Sequence, residues 1–410
     1  MVGDSPALFS RIAAGERIPA NQILEALELD LPLICQLDST PQDPEWHAEG
    51  NVRIHTERVV DELYEVLEAA TVTPNHRLAL VLGAALHDIG KVLTTSEKEI
   101  SGKIRIVSPR HAIRGRSYAA LRLGILHQPV RDLVLGCIGY HHHPKQLVSK
   151  HDTDAHYRRL ARCADLKSLY LLEIADLRGR DCGDPTEQLE ILELFRMRAE
   201  ELGHWESADP YADWNAAICD ALPGASPATV NYVLAKAIHD YEAGLIFTLE
   251  EALAKTYKHR EKFCEVVVTC GLSGSGKTTW VKENLPSYRV ISLDAIRGEL
   301  TGKEDDQSMN GQVMQLAKAR LRESLRRQQN VVWESTGLRR DGRAMVVGLA
   351  HDYHATSRIV AFETPPGQSI AQNRHRKSAI PQSVIEKQLC RLEWPEVTEA
   401  DRIQVMQIRS

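Results

Sequence analysis

The chain has eight cysteines and no CxxC pair among them. That spacing excludes a zinc ribbon and gives no disulfide framework. No apolar run approaches the roughly 20 residues that span a bilayer. The opening "MVGDSPALFS" lacks the basic-then-apolar order of a secretory signal. These absences predict a reducing, cytoplasmic compartment and no membrane. An excess of positive charge is also missing, since the formal net charge is -6. A protein coated in basic residues is therefore excluded, while a local basic groove for nucleic acid remains open. Internal repeats and low-complexity tracts are absent too.

What is present is ordinary in bulk and uneven in placement. Hydrophobic residues make up 43% and charged residues 26%, the balance of a globular protein. At 410 residues the chain exceeds one ordinary core, so two or three domains are expected. Eleven of the 17 histidines lie between His47 and His156, which points to a metal site in the first half.

The texture of the sequence sets the expected boundaries. Residues 1–44 hold one helix and the loop "STPQDPEW". Residues 45–204 read as helices with a buried stripe, and 205–258 as a helical connector whose last helix is capped by Thr248. From 259 to 410, the short runs "CEVVVTC", "RVISL", "NVVWE" and "SRIVAFE" alternate with helical stretches. Such alternation predicts a parallel sheet covered on both faces. The predicted fold class is therefore two-part: an all-α helical bundle, then an α/β domain with a parallel sheet.

In the first half, "NVRIHTERVVDELYEVL" places Val52, His55, Val59, Leu63 and Val66 on one helical face, so His55 points inward. The run "VLGAALHDIGKV" ends in His87 and Asp88, then Gly90 and Lys91. Adjacent helical residues diverge by about 100°, so this pair can face one point only where the helix ends, and Gly90 supplies that end. A buried carboxylate beside a buried imidazole needs a positive partner, and a divalent metal takes both donors. His111, then His141, His142 and His143 in "GYHHHPK", then Asp176 with Arg180 one turn on, complete an ordered set. Each residue alone reads as a core or surface residue. The order is what points to a metal.

This H…HD…H…H…D order resembles the HD-domain superfamily of metal-dependent phosphohydrolases. The resemblance implies that His55, His87, Asp88 and Asp176 hold one metal. It implies that Asp88 bridges to a second, held by His111 and one of the 141–143 cluster. His141 fits the pattern best and His142 next, with His143 read as a solvated loop residue. Candidate metals are Mn²⁺, Ni²⁺, Co²⁺ and Zn²⁺. Two metals clamp a phosphate and lower the pKa of a bound water. Lys91 and Arg180 are then placed to offset phosphoryl charge.

In the second half, "GLSGSGKTT" (271–279) follows a strand and leads into helical sequence. It matches GxxxxGK[ST] with Gly271, Gly276, Lys277 and Thr278. The backbone N–H groups of Ser273, Gly274, Ser275 and Thr279 belong to the same phosphate cradle at a helix N-terminus. Lys277 is placed for the β/γ phosphates and Thr278 for Mg²⁺, so ATP with Mg²⁺ is the expected cofactor. After the next strand come Asp294 and Arg297, placed to take a hydroxyl proton and to hold a phosphate. Farther on, "QNRHRKSAIPQ" reads as a lid carrying Arg374 and Arg376.

P-loop, strand-end DxxR and RxR…P lid together resemble the polynucleotide 5′-hydroxyl kinases of RNA repair. That resemblance makes Asp294 the general base, Arg297 the contact to the adjacent phosphate, and Arg374 and Arg376 contacts to ATP. One departure is Glu334-Ser335-Thr336, where that family often has an Asp before the Thr. The contact that orients Arg297 then falls to Glu334 or Ser335. The fusion order resembles bacterial HD-domain polynucleotide kinases, which implies RNA or DNA ends as substrates and an RNA ligase acting downstream. Two rivals stay open. One is a nucleoside or small-metabolite kinase fused to a nucleotide phosphohydrolase. The other is a nucleotide sensor whose helical half binds without turnover.

Overall fold

The computed structural model describes residues 5–150, 152–183, 185–206, 209–303, 306–376 and 379–407. Its contacts divide the chain into two compact units, Met1–Pro210 and Tyr211–Ser410. The helices read in sequence as a connector lie in the second unit. Among the described residues no helix is long and apolar enough to cross a membrane, and no two cysteines are joined.

The first unit is a helical bundle. Its principal helices are Val52–Ala69, Pro74–Leu86, Gln128–Tyr140 and Leu166–Gly179. Three of them start on side-chain caps. Asn51 accepts from the Ile54 amide, Thr73 from that of His76 with Pro74 following, and Asp165 from that of Ser168. The 166–179 helix is the central one, with Leu166, Leu169, Leu172, Ala175 and Asp176 all buried. On the 52–69 helix, Val52, His55, Val59 and Leu63 are 0% exposed, which is the inward face expected from their spacing. Each such aliphatic side chain contributes about 1.5–3 kcal/mol when buried. That apolar surround is what makes His55 and Asp176 unable to reach water.

Two features differ from the sequence expectation. The described residues 5–44 form two helices, Ser5–Ala13 and Ala20–Leu27, and a 3₁₀ turn at Pro32–Gln36, where one helix was expected over 1–44. Gly15 to Pro19 breaks them, so the periodicity runs through one apolar stripe in two pieces. The bundle also carries a two-stranded hairpin, β1 (Ser96–Ile100) and β2 (Lys103–Val107). Ser101 and Gly102 both take positive φ at its tip, the turn whose twist matches paired strands. "SEKEI" and "KIRIV" alternate too briefly to stand out from helical sequence.

The second unit opens with three helices, Ala212–Ala221, Pro227–Glu242 and Leu249–Thr256. They share a small core of Ile218, Tyr232, Val233, Ala237, Ile246 and Ala252. Thr248 caps the last one, as expected, in a reciprocal box with Glu251. Then come five parallel strands: β3 (Glu265–Cys270), β4 (Arg289–Ser292), β5 (Val331–Glu334), β6 (Thr356–Glu363) and β7 (Arg402–Gln407). Their spatial order is β4-β5-β3-β6-β7. The fifth strand, "RIQVMQ", was not expected from sequence; one of its flanks pairs with β6 and it is only partly buried. The C-terminal edges of β3, β4 and β5 are adjacent. Parallel sheets bind ligands at that edge.

Candidate functional sites

The metal-ligand candidates of the first half converge. Helix Pro74–Leu86 ends at His87, and the chain turns through Gly90. A Cβ on Gly90 would stand 2.0 Å from the His111 carbonyl oxygen and 2.6 Å from the Gly115 amide nitrogen. Only glycine lets the helix His111–Ala120 approach this closely, and that approach delivers His111 to Asp88.

Asp88 is at the centre. Its Oδ1 lies 3.3 Å from His111 Nε2 and 4.0 Å from His141 Nε2. Its Oδ2 lies 3.3 Å from His87 Nε2 and 3.7 Å from His55 Nε2. One carboxylate thus faces two imidazole pairs, one per oxygen. Asp176 Oδ1 stands 3.0 Å from His55 Nε2 and 3.9 Å from His87 Nε2. His142 joins His111 and His141, with donor atoms within 4.8 Å of one another. His143, expected in solvent, packs its ring 5.0 Å from that of Tyr140. It begins a short helix against the bundle, so the loop reading is corrected.

The tautomers follow from the second nitrogen of each ring. Nδ1 of His87, His111 and His141 lies 2.8, 2.9 and 3.0 Å from the carbonyl oxygens of Ala84, Ser108 and Ile138. Carbonyls only accept, so each Nδ1 donates and each Nε2 is free to bind a cation. Burial pushes the pKa of His111 and His141 below the ordinary imidazole value, which keeps both neutral. Yet His111 Nε2 and His141 Nε2 stand only 3.3 Å apart. Two lone pairs face each other there, and His87 Nε2 and Asp88 Oδ1 are buried without a hydrogen-bond partner. Imidazole nitrogens and carboxylate oxygens arranged this way fit divalent cations.

Four residues around this centre were not found from sequence. Glu49 Oε1 lies 2.8 Å from His47 Nδ1 and 2.9 Å from His55 Nδ1. It is the carboxylate behind a histidine that orients ring and charge together. Its own position is held by the Asp181 amide, which donates to Oε2. Gln42 accepts from Lys91 Nζ at 2.5 Å. The available signal was proximity: "HAEGNVRIH" puts His47 and Glu49 just ahead of His55. Lys91 also stands 2.7 Å from Asp88 Oδ2. Arg180 holds Asp176, with Nε 3.2 Å from Oδ1. Burial would push both aspartates up, but Lys91 for Asp88 and Arg180 for Asp176 hold them well below the usual carboxylate range. A cleft of about 240 Å³ opens over the centre, lined among others by Lys91, His111, His142 and Arg180.

Glu173, one turn before Asp176, is fully buried with Lys145 Nζ 3.2 Å from its Oε1. Burial pushes its carboxyl from 4.5 up to about 8, against the pull of Lys145. The acid is therefore mostly protonated at pH 7 when folded and ionised when unfolded. A raised carboxyl pKa gives stability that is present below 4.5 and lost as pH climbs to about 8. Glu173→Gln keeps the shape of the neutral acid. It is expected to stabilise the chain by about 4 kcal/mol at pH 7.5 and by only about 1 kcal/mol at pH 5. Thermal melts at the two pH values check this, and an equal gain at both would contradict it.

In the second unit, β3 runs into the loop 271–276 and the helix Lys277–Asn284. Gly274 has φ +85°, and a Cβ there would meet the Ser369 carbonyl oxygen at 2.3 Å. Lys277 Nζ curls onto the loop, 2.6 Å from the Leu272 carbonyl and 3.1 Å from that of Gly271. Burial lowers its pKa to about 8, and the charge of Arg376 adds to the lowering. Glu334 and Asp294 pull the other way, so both carboxylates lie within electrostatic reach of Lys277. Thr278 donates to Glu334 Oε1 at 2.5 Å. Ser275 is buried, and the Ser273 amide donates to Gln388 Oε1 at 2.9 Å. Gln388 was not found from sequence; it comes from the helix Gln382–Arg391, beyond the lid proline.

Asp294 sits in the first turn of the helix Leu293–Thr301, just past β4, with its side chain 69% exposed. Arg297 is buried and donates to Asp294 Oδ1 at 2.6 Å. Its second arm reaches Asn310 Oδ1 at 3.5 Å. The orienting partner expected from Glu334 or Ser335 differs: Glu334 engages Thr278, and Ser335 Oγ accepts from the Gly337 amide. Strand β5 lies between β3 and β4, so Glu334 reaches the P-loop first. Arg374 and Arg376 are exposed at the end of the helix Pro366–Arg374. Thr279 is in the first turn of the P-loop helix.

Residues 266–395 match the model of a family described as an AAA domain. No curated protein matches the chain. A strand, a GxxxxGKT loop, a helix and four of the five parallel strands stand in that matched segment, and β7 follows it. The second unit contains a P-loop kinase-type domain, and such a domain uses ATP with Mg²⁺.

Proposed function

We propose that this chain is a bifunctional end-healing enzyme for nucleic acids. The P-loop unit moves the γ-phosphate of ATP to a polynucleotide 5′-hydroxyl. The helical unit hydrolyses phosphate at a 2′ or 3′ end, including 2′,3′-cyclic phosphate, so that a downstream RNA ligase receives joinable RNA or DNA ends. The observation that carries the reading is Asp88, one oxygen to each of two imidazole pairs, beside a cleft whose lining includes Lys91 and Arg180.

In the kinase step, Asp294 takes the proton of the attacking 5′-hydroxyl. The new O–P bond forms as the bond from γ-phosphorus to the β–γ bridging oxygen breaks, and ADP leaves. Arg297 holds the phosphate next to the hydroxyl. Lys277 and Arg376 neutralise charge on the transferred group, with Arg374 at the outer edge of the lid. Thr278, paired with Glu334, would hold the Mg²⁺ that accompanies ATP.

In the hydrolytic step, His55, His87, Asp88 and Asp176 would hold one cation, and Asp88, His111 and His141 would hold a second. His142 stands at the mouth of the cleft as the alternative ligand. Bound there, the divalent ions supply Lewis acidity and a water acidic enough to act near neutral pH. Lys91 and Arg180 bind the phosphoryl oxygens and offset their charge. Glu49 keeps the His55 ring turned, and Gln42 keeps Lys91 aimed.

The test is end-resolved analysis of a 5′-hydroxyl, 3′-phosphate RNA incubated with ATP and Mn²⁺, Ni²⁺, Co²⁺ or Zn²⁺. The expected product carries 5′-phosphate and 3′-hydroxyl. A preference for free nucleosides over the oligonucleotide in competition for the γ-phosphate would favour a metabolite kinase. Absence of phosphate release with every metal would favour a sensor.

A further inference from the structure

Trp46 has no part in the steps above, yet it lines the same cleft as Lys91, His111, His142 and Arg180. The residue is 51% exposed, although Asp43 and His47 close by are buried. Large exposed aromatics at the rim of a mostly polar cleft are unusual enough to ask what covers them.

The indole stands on a fixed turn. The amides of Trp46 and His47 both donate to the Asp43 carbonyl, at 3.1 and 2.9 Å. The Asp43 carboxylate is clamped by Arg105 Nε at 2.6 Å, Arg105 Nη2 at 2.8 Å and the Ile106 amide at 3.2 Å. On the other flank, the Ala48 amide donates to the Asp181 carbonyl at 2.9 Å, and Glu49 accepts from the Asp181 amide. The hairpin and the segment just past the central helix thus hold the loop from both sides. A rigid aromatic face costs little ordering when something stacks on it.

The cleft is small. At about 240 Å³ it falls below the roughly 300–1,000 Å³ that engulf a drug-sized ligand. A ligand here is therefore engaged at one end, with the remainder over the rim where Trp46 lies. A strand terminus has that form: a phosphate to place beside Lys91 and Arg180 and a flat base next to it.

We infer that Trp46 is the base platform of this site, stacking on the base of the terminal nucleotide whose 2′ or 3′ phosphate enters the cleft. The inference rests on the phosphohydrolase reading and adds a specificity determinant to it. Base–aromatic stacking is tolerant of base identity, so the site reads "nucleotide" without reading sequence.

The test compares wild type, Trp46→Ala and Trp46→Phe on two esters, adenosine 3′-monophosphate and glycerol 2-phosphate, which lacks a base. The expected result for Trp46→Ala is a loss of about tenfold to a hundredfold in kcat/KM on the nucleotide. Activity on glycerol 2-phosphate stays at the wild-type level, and Trp46→Phe recovers most of the loss. Equal losses on both esters, or none, overturn the proposal while leaving the phosphohydrolase reading intact. A second readout needs no turnover. In a Lys277→Ala background without added metal, adenosine 3′-monophosphate should quench tryptophan fluorescence, and Trp46→Phe should remove that quenching. If wild type hydrolyses neither ester but the quenching persists, the platform stands and the hydrolytic reading falls. Absence of both sinks both.

Discussion

Asp88→Asn is expected to abolish metal-dependent phosphate release from 3′-phosphate RNA, by about 10³-fold or more, with 5′-kinase activity retained. The substitution keeps size and burial and removes the charge. Asp88 faces four imidazoles with two oxygens. On the proposed reading, loss of its charge would weaken cation binding on both sides of it, and such cations are worth several kcal/mol of transition-state stabilisation. The change also strips Lys91 of its partner at 2.7 Å, leaving Gln42 to hold it. Metal content by elemental analysis should fall together with activity. Asp176→Asn serves as a second variant, because it affects the His55–His87 side and spares the His111–His141 side. Its expected effect is a smaller loss of bound metal. Wild-type phosphate release from Asp88→Asn would remove the metal assignment.

Asp294→Asn should reduce labelling of 5′-hydroxyl oligonucleotides by about 10²–10⁴-fold, the usual contribution of a positioned proton acceptor. Phosphate release by the helical unit should not change. Asparagine still accepts from Arg297, which now donates to Asp294 Oδ1 at 2.6 Å, so the local geometry survives while the base is lost. The side chain is 69% exposed, and the melting temperature should match wild type. Affinity for ATP should also hold, since the P-loop contacts run through Lys277, Thr278 and Glu334. The effect therefore belongs in kcat. A wild-type labelling rate would leave the proton with some other group, and a rise in KM for ATP alone would place Asp294 in binding instead.

The helical site was legible as an order of residues and no more. Spacing placed His55 on the buried face of its helix, and the HD doublet at a helix end, because both depend on local geometry that repeats along a chain. Gly90 was read as a helix end. Its larger task, admitting the His111 segment at a distance no other residue permits, depends on a neighbour twenty residues away. The kinase site was more legible still. A P-loop keeps strand, glycines, lysine and helix within one short stretch, so its geometry is local. The pairing of Glu334 with Thr278 was not, since it depends on β5 lying beside β3.

Sequence by itself determined the two-part architecture, the ordered set of metal-ligand candidates, the P-loop and the Asp294–Arg297 pair. Each is written in periodicity or in close spacing. Only the tertiary structure decided the rest. It set Glu49 behind His55, Gln42 under Lys91, Trp46 at the rim of the cleft and Gln388 against the P-loop. It also showed that the Asp88 oxygens divide between two pairs of rings. The reason is physical: these contacts join segments far apart in the chain, and the side chains that make them carry no local signature. A glutamate before a helix or a tryptophan in a proline loop looks like ordinary surface until packing fixes what it faces.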